Sequence, residues 1–221
     1  MNKIGIISAM EVEANRIKNA MTDVVISNKA GLTFFEGKIG KTSVVLAVSG
    51  VGKVNASICV QTLINVYGVD FVINSGIAGS LQDKASHLSV VVSDVVYYHD
   101  IDFLIFNNNY PGTNRFYADK TQTENFIKCN PTAVLGGIAT GDKFVSSSVE
   151  KEEIVKKGNA ICVEMEGGAV GHVCFVNDVP FMVLRCISDM ADDNATTTYE
   201  DFETIAANKI ADMVINYLQN L

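Results

Sequence analysis

The sequence predicts a single α/β domain spanning residues 1–221, with helices on both sides of a twisted β-sheet. Apolar runs with the length of buried strands alternate along the chain with segments in which apolar residues recur at helical spacing. The chain has 221 residues, of which 48% are hydrophobic, so it can bury a sizeable core. It contains no internal repeat, low-complexity tract or linker, and a single domain is therefore expected.

The first half of the chain begins with a continuous apolar run at 3–8, which predicts a buried strand. A short helix is expected next, with Met10, Ala14 and Ile17 on one apolar stripe. Further strands are predicted at 24–27, 32–39, 42–49, 70–75 and 88–98, and a helix at 54–66. The turn signal at 28–31 makes the first two of these strands a hairpin.

The second half continues the alternation. Strands are predicted at 133–139, 160–164 and 180–187, and helices at 148–157, 166–176 and 199–218. Thr198, with Asp201 three residues later, is expected to cap the last helix. The polar segment 100–119 is predicted to be a long functional loop, and 74–80 a glycine-rich turn that lets a ligand approach the backbone.

Bulk composition excludes several classes of function. The formal net charge of −8 repels phosphate backbones, so nucleic acid is not an expected partner. No stretch has the roughly 18 consecutive apolar residues that a membrane span needs, and the N-terminus lacks the features of a signal peptide. The odd number of cysteines, 5, and the absence of a C-x-x-C pair indicate reduced core thiols, and the cytoplasm is the expected compartment.

Three carboxylates follow predicted buried strands, where ligands bind in open α/β sheets. Glu13 borders the apolar stripe of the first helix, Glu166 follows the strand 160–164, and Asp189 follows the strand 180–187. Arg185, inside an apolar strand, requires a buried counter-ion. Taken singly, Glu13 could be solvated, Glu166 could lie in the first turn of a helix and Asp189 could be a helix cap. All three together, beside a buried arginine, indicate a catalytic site.

Two other patterns are weak. The segment 50–56 resembles a dinucleotide fingerprint but lacks its third glycine, so a tight turn into a helix is the better interpretation. His99, Asp100 and Asp102 could contribute to a metal site, but the other two histidines are distant in sequence. We therefore expect neither a cofactor nor a metal.

A series of motifs in order resembles the 5′-methylthioadenosine/S-adenosylhomocysteine nucleosidases of the purine nucleoside phosphorylase superfamily. These motifs lie at 4–7, 9–13, 49–56, 74–79, 98–100, 141–144, 163–166 and 185–189. The resemblance spans almost the whole chain. It implies a three-layer αβα sandwich around a mixed β-sheet and a homodimer. It also implies hydrolysis of an adenine nucleoside to adenine and a thioribose without metal or cofactor.

The resemblance also implies roles for individual residues. Glu13 matches the base that activates water, and Asp189 matches the acid that serves adenine N7. Glu166 matches the carboxylate that holds the ribose hydroxyls. The other matched positions are substrate contacts or support the catalytic groups: Met10, Gly79, Phe144, Val145, Met165, Arg185, Ser188 and Tyr199.

The chain departs from the family pattern at three places. Ile77 stands where the family usually has Ser, Gly167 and Gly168 stand where it usually has Ala-Thr, and the loop 103–117 is shorter and different. The preferred 5′ substituent therefore stays open among methylthioadenosine, S-adenosylhomocysteine, 5′-deoxyadenosine and aminodeoxyfutalosine. A nucleoside phosphorylase on the same fold and a non-catalytic nucleoside-binding protein are the alternatives.

Overall fold

Ten strands form one mixed β-sheet in the computed structural model, which describes all residues from 1 to 221. The strands are β1 (Ile4–Ser8), β2 (Thr22–Lys29), β3 (Leu32–Ile39), β4 (Thr42–Val48), β5 (Phe71–Ser80), β6 (Val90–Tyr98), β7 (Arg115–Tyr117), β8 (Val134–Thr140), β9 (Cys162–Glu164) and β10 (Phe181–Asp189). The helices are α1 (Glu11–Asn19), α2 (Lys53–Tyr67), α3 (Phe103–Asn108), α4 (Lys120–Cys129), α5 (Ser148–Gly158), α6 (Gly167–Val176) and α7 (Ala195–Gln219).

Helices cover both faces of the sheet because its central strands are apolar on both sides. Every residue of β1, β5 and β10 is buried. One core cluster joins the sheet to α2 and α6, through residues such as Cys59 and Val170. A second cluster joins the opposite face to α1, α4 and α7, through residues such as Ile17, Phe126 and Ile210. The predicted three-layer αβα arrangement is thus confirmed.

The strand order brings the carboxyl ends of three strands, β1, β5 and β10, to one edge of the sheet. The path runs β10-β6-β8-β9-β5-β1-β4-β3-β2, and β10 also pairs with β5, so that part of the sheet closes into a ring. β5 is parallel to β1 on one side, where Ile7 faces Asn74, and parallel to β10 on the other, where Leu184 faces Ser75. β9 joins the same edge through its antiparallel pairing of Val163 with Gly79.

Several sequence-based predictions are confirmed. The β2–β3 hairpin forms around residues 30 and 31, and β1, β4, α2 and α6 lie within about two residues of their predicted bounds. The segment 50–52 is a tight turn into α2, in which Gly50 and Gly52 have φ of 81° and 99°, a region that favours glycine. None of the helices is long and apolar enough to cross a membrane.

Other predictions are wrong about the type or the bounds of a helix, strand or loop. The supposed glycine-rich turn 74–80 continues β5, because this segment pairs with β9 and β10 and is buried throughout. The supposed loop 100–119 contains α3 and β7, and α4 was not predicted. α7 begins at Ala195 rather than 199, so Thr198 is not its cap; the Thr198 hydroxyl donates to the Asn194 carbonyl at 3.2 Å. β10 continues to Asp189 and β9 is only three residues long.

Candidate active site

A cavity of about 410 Å³ opens at the edge of the sheet where β1, β5, β9 and β10 end. Nine of the eleven residues singled out from the sequence line it: Met10, Glu13, Gly79, Phe144, Met165, Glu166, Ser188, Asp189 and Tyr199. Val145 lines a smaller adjacent cavity of about 30 Å³. Arg185 lies beneath the cavity, with 1% of its surface exposed. The three carboxylates predicted from strand ends therefore do share one site.

Glu13 is buried and held by the backbone rather than solvated. Its Oε2 accepts hydrogen bonds from the backbone N–H groups of Ala9 (2.9 Å) and Met10 (3.0 Å), and its Oε1 accepts one from Ile77 (3.0 Å). Burial raises the pKa of Glu13, and the charge of Arg185 opposes that rise. Glu13 is thus a fixed carboxylate at the cavity wall with a raised affinity for a proton.

Asp189 ends β10 and is 2% exposed. Its Oδ1 accepts a hydrogen bond from the Ala191 backbone (2.9 Å), and its Oδ2 accepts one from the Ser188 hydroxyl (2.8 Å). Burial raises the pKa of Asp189 despite these two hydrogen bonds. Its contacts lie in its own turn, so it is not the cap of α7. A carboxyl in this setting is suited to carry a proton.

Arg185 is the buried cation whose counter-ion the sequence required. Its Nη2 forms a salt bridge with Glu164, lies 3.6 Å from Glu166 Oε2 and donates to Asn74 Oδ1 at 2.6 Å. Its Nη1 donates to the Leu184 carbonyl at 3.0 Å. The guanidinium thereby offsets part of the repulsion among the buried carboxylates.

Glu166 lies at the N-cap position of α6, directly after the short strand β9. Its Oε1 accepts a hydrogen bond from the Gly52 backbone at 2.8 Å, which ties it to the turn before α2. Burial and, next, the neighbouring charge of Glu164 raise the pKa of Glu166 to about 7. This carboxyl therefore changes its protonation state near neutral pH.

Aromatic side chains and a methionine form the outer wall of the cavity. Tyr199 meets Phe144 edge to face, with ring centroids 5.6 Å apart. The Tyr199 hydroxyl donates to Glu203 Oε1 at 2.7 Å and lies 3.5 Å from the sulfur of Met10. This wall supplies apolar surface opposite the carboxylates, as expected of a site for a flat base and an apolar substituent.

Sequence reasoning missed four polar residues of the site. Glu164, in β9, is the main partner of Arg185 and also accepts hydrogen bonds from the Glu166 and Gly167 backbones, at 2.9 and 2.7 Å. Its place two residues before Glu166 was a usable signal. Asn74, in β5, gave no such signal, since it lies in a segment mistaken for a turn. Thr196 and Glu200 line the cavity from the first turns of α7, whose start was misplaced.

His99, Asp100 and Asp102, the residues of the possible metal site, are not arranged as a set of metal ligands. Asp100 binds Lys53 at 2.7 Å and accepts a hydrogen bond from the Asp142 backbone at 3.0 Å, so its carboxylate is already paired. His99 is buried against Gly141, where a Cβ would come within 2.3 Å of its Nε2. No group of three or more His, Cys, Asp or Glu side chains is arranged to hold a metal ion. These residues instead brace the loop that carries Phe144.

Comparison with known proteins gives concordant matches. The family model described as "Phosphorylase superfamily" matches residues 3–219. A curated 5′-methylthioadenosine/S-adenosylhomocysteine nucleosidase of Haemophilus ducreyi is 36% identical, over 99% of this chain and 98% of the relative. The same enzyme of Neisseria meningitidis, solved with methylthio-immucillin-A, aligns with a TM-score of 0.94 and 31% identity over 100% of both chains. A futalosine hydrolase of Helicobacter pylori aligns with a TM-score of 0.94 and 29% identity, over 100% and 98%.

Proposed function

The chain belongs to the phosphorylase superfamily and, within it, to the 5′-methylthioadenosine/S-adenosylhomocysteine nucleosidases, and from this membership we propose how its site works. The reaction is hydrolysis of the N-glycosidic bond of methylthioadenosine and S-adenosylhomocysteine, with 5′-deoxyadenosine as a further candidate substrate. The products are adenine and a thioribose, or adenine and 5-deoxyribose when the substrate is 5′-deoxyadenosine. The observation that carries the proposal is the meeting of Glu13, Glu166 and Asp189 in one cavity of about 410 Å³.

Asp189 is the proposed general acid. Adenine leaves more readily when its N7 is protonated, because the base would otherwise depart as an anion. The raised pKa of the buried Asp189 carboxyl increases the fraction that carries a proton. The Ser188 hydroxyl and the Ala191 backbone fix the orientation of this carboxyl. Gly79 leaves room for this carboxyl, since a Cβ at that position would lie 2.7 Å from Asp189 Oδ1.

Glu13 is the proposed general base. Bond cleavage leaves a ribose with oxocarbenium character, and water must attack its opposite face. Both carboxylate oxygens of Glu13 are held by backbone donors, so the group is oriented before the substrate arrives. A carboxylate with a pKa raised by burial is a stronger base than one in water. Glu13 then accepts the proton of the attacking water.

Glu166 is the proposed partner of the ribose hydroxyls. Its carboxylate lies between Gly52 and Arg185, on the wall that the sugar must face when adenine sits by Asp189. Developing positive charge on the ribose favours the ionised form of Glu166, whose pKa burial raises to about 7. Ionised Glu166 in turn stabilises the cationic transition state.

The remaining substrate contacts follow from the same placement of the nucleoside, with adenine by Asp189 and the ribose by Glu166. Val145 and Phe144 lie on the adenine side together with Gly79, and Met165 precedes the ribose-binding Glu166. Met10 and Tyr199 close the side that faces Glu13. These groups bind and orient the nucleoside and exclude water from the reacting bond.

The nearest competing function is phosphorolysis on the same fold. A phosphate co-substrate needs cationic or backbone donors, but none of the 17 lining residues is Lys, Arg or His and five are Asp or Glu. The test is adenine release from methylthioadenosine, S-adenosylhomocysteine and 5′-deoxyadenosine, each with and without phosphate. We expect release without phosphate and a free sugar as product. A rate that depends on phosphate, or a sugar phosphate as product, would establish the phosphorylase instead.

We also propose a homodimer that buries an apolar face of α2 and α3. Val54 and Leu104 are 69% and 72% exposed in the single chain, and Ile105 is 59% exposed. The salt bridge between Lys53 and Asp100 joins the start of α2 to the segment before α3, so these exposed residues lie on neighbouring segments of the chain. Large exposed apolar patches of this kind mark interfaces.

For the cellular compartment we propose the cytoplasm, in keeping with the five free cysteines.

A further inference from the structure

The cavity has a buried end and an open end. Glu13, Glu166 and Asp189 are each at most 6% exposed and form the buried end. Four lining residues are exposed and form the mouth: Val51, Phe144, Thr196 and Glu200. If adenine and ribose occupy the buried end, as the proposed function requires, the 5′ substituent must lie at the mouth. Residues of the mouth then decide which substituents are accepted.

Glu200 is the one charged residue at this mouth, and its carboxylate is unpaired. It takes part in no salt bridge, whereas the nearby Glu203 accepts a hydrogen bond from Tyr199. No lining residue is Lys, Arg or His. An unpaired carboxylate at a site of this kind repels an anionic ligand and attracts a cationic one.

Cations close to the cavity are already paired with carboxylates. Arg185 is held by Glu164 and Glu166 beneath the floor. Lys143, in the adjacent small cavity, binds Glu150 at 2.6 Å. An anionic 5′ substituent would therefore meet no free positive charge among the residues that line the two cavities or in the floor beneath them.

The proposed homodimer does not reverse the excess of negative over positive charge at the mouth of the cavity. The segment 100–117, which would reach the mouth from a second copy, contains Asp100, Asp102 and a single cation, Arg115. Arg115 already stacks over the ring of Tyr97, with its guanidinium carbon 4.8 Å from the ring centroid. A second copy thus adds only one cation from this segment, and its guanidinium already stacks on a ring of its own chain.

We propose that Glu200 is a specificity-determining residue that favours neutral or ammonium-bearing 5′ substituents over substituents whose only charge is anionic. This inference rests on the proposed function and names the class of substrate that the site selects. S-Adenosylhomocysteine carries both an ammonium group and a carboxylate, so it remains compatible with the mouth. Methylthioadenosine is neutral and is compatible for the same reason.

The test compares two matched substrates whose 5′ substituents have the same two-carbon spacer and end in groups of opposite charge. They are 5′-(2-aminoethylthio)-5′-deoxyadenosine and 5′-(2-carboxyethylthio)-5′-deoxyadenosine, with methylthioadenosine as the neutral reference. The measured quantity is the ratio of kcat/KM for the ammonium compound to that for the carboxylate compound, in the wild type and in Glu200→Gln and Glu200→Lys. Asp201→Asn is the matched control, because Asp201 is exposed on the same helix but does not line the cavity.

We expect the wild type to prefer the ammonium compound by at least about fivefold, the size that one unit charge near a surface gives. Glu200→Gln should reduce the ratio by about threefold or more and Glu200→Lys should reverse the preference, whereas Asp201→Asn should keep the wild-type ratio. The ratio should shrink as salt rises from about 0.05 to about 0.5 M, because salt screens exposed charges. A change of packing alone would not produce that salt dependence.

Three results would overturn the inference: equal rates on the two compounds in the wild type, a ratio that Glu200→Gln leaves unchanged, or an equal shift in Asp201→Asn. Failure of the proposed function is separate, since it would appear as no adenine release from methylthioadenosine. In that case the ratio of calorimetric Kd values for the two compounds, measured in the same variants, decides the inference without turnover.

Discussion

Arg185 lets three buried carboxylates share one cavity wall. Its guanidinium contacts Glu164 and lies 3.6 Å from Glu166, and its charge also acts on Glu13. Burial nevertheless raises the pKa values of both Glu13 and Glu166, and the guanidinium offsets only part of that rise. The site therefore holds carboxyl groups that are more readily protonated than in water, as acid–base catalysis requires.

Replacing Asp189 with Asn should reduce adenine release by at least about a hundredfold, because an amide cannot donate the proton that the leaving base needs. The measurement is the turnover of methylthioadenosine at saturating concentration. Asp201→Asn, which makes the same chemical change at an exposed position, is the control. Turnover close to that of the wild type in the Asp189 variant would remove the acid from this mechanism.

Replacing Glu13 with Gln should abolish hydrolysis while ligand binding survives. An amide oxygen can still accept the hydrogen bonds from Ala9 and Met10, and only the one from Ile77 is lost, so the side chain keeps its place in the wall while the base is removed. Affinity for a non-hydrolysable thioadenosine analogue, measured by calorimetry beside the turnover rate, separates the two effects. If affinity collapses together with the rate, or if the rate is unchanged, Glu13 is not the base.

The raised pKa of Glu166 predicts a pH dependence of stability. Its folded value of about 7 lies above the ordinary 4.5, so the folded state binds more protons than the unfolded state between these values. The contribution of Glu166 to the free energy of unfolding is fully present below about pH 4.5 and is lost as pH rises through about 7. The unfolding free energy of the wild type minus that of Glu166→Gln should therefore fall between pH 5 and 8. A difference that rises or stays flat would contradict this assignment.

At the scale of elements, β5 is the strand on which the site depends. Its glycines leave room for the two carboxylates proposed to be catalytic: a Cβ on Gly76 would lie 2.6 Å from Glu13 Oε1, and one on Gly79 would lie 2.7 Å from Asp189 Oδ1. Glycine is uncommon within strands, which is why the segment resembles a turn in the sequence. Here its function is to allow close approach rather than to reverse the chain.

Gly79→Ala should therefore impair catalysis more than it impairs folding. The added methyl would displace the Asp189 carboxyl, and we expect a loss of turnover of about tenfold or more, as misplacement of a catalytic group commonly causes. Gly137→Ala in β8 is the control, since a Cβ there meets its nearest neighbour at an ordinary 3.5 Å. Turnover and Tm are measured for both variants. Equal losses of turnover, or a Tm drop that accounts for the loss at Gly79, would refute this role.

The sequence predicted those parts of the site that a local pattern encodes. Helical spacing placed Glu13 beside the core stripe, and burial of a charge required a partner for Arg185. The identity of that partner, Glu164, depends on the pairing of both β9 and β10 with β5, which no local pattern contains. α4 was missed because only Thr123 and Phe126 of its residues are buried, too few to set a clear helical period.

At the scale of the whole molecule, charge and exposed apolar surface are distributed unequally. The net charge of −8 keeps copies of the chain apart by repulsion in general. The face formed by α2 and α3 is the exception, because it exposes Val54, Leu104 and Ile105 and adjoins the mouth of the cavity through Val51. A second copy that covers this face would also shape the site for the 5′ substituent.

Leu104→Glu should accordingly convert a dimer into a monomer at micromolar concentration. Leu104 is 72% exposed in the single chain, and a carboxylate buried between two copies would lack a partner. Light scattering gives the mass, and the KM for methylthioadenosine should rise in the same variant if the second copy helps to form the mouth. Ile26→Glu on β2 is the matched control, since Ile26 is 61% exposed at the far edge of the sheet. A wild type that is monomeric and fully active would show that the site is complete within one chain.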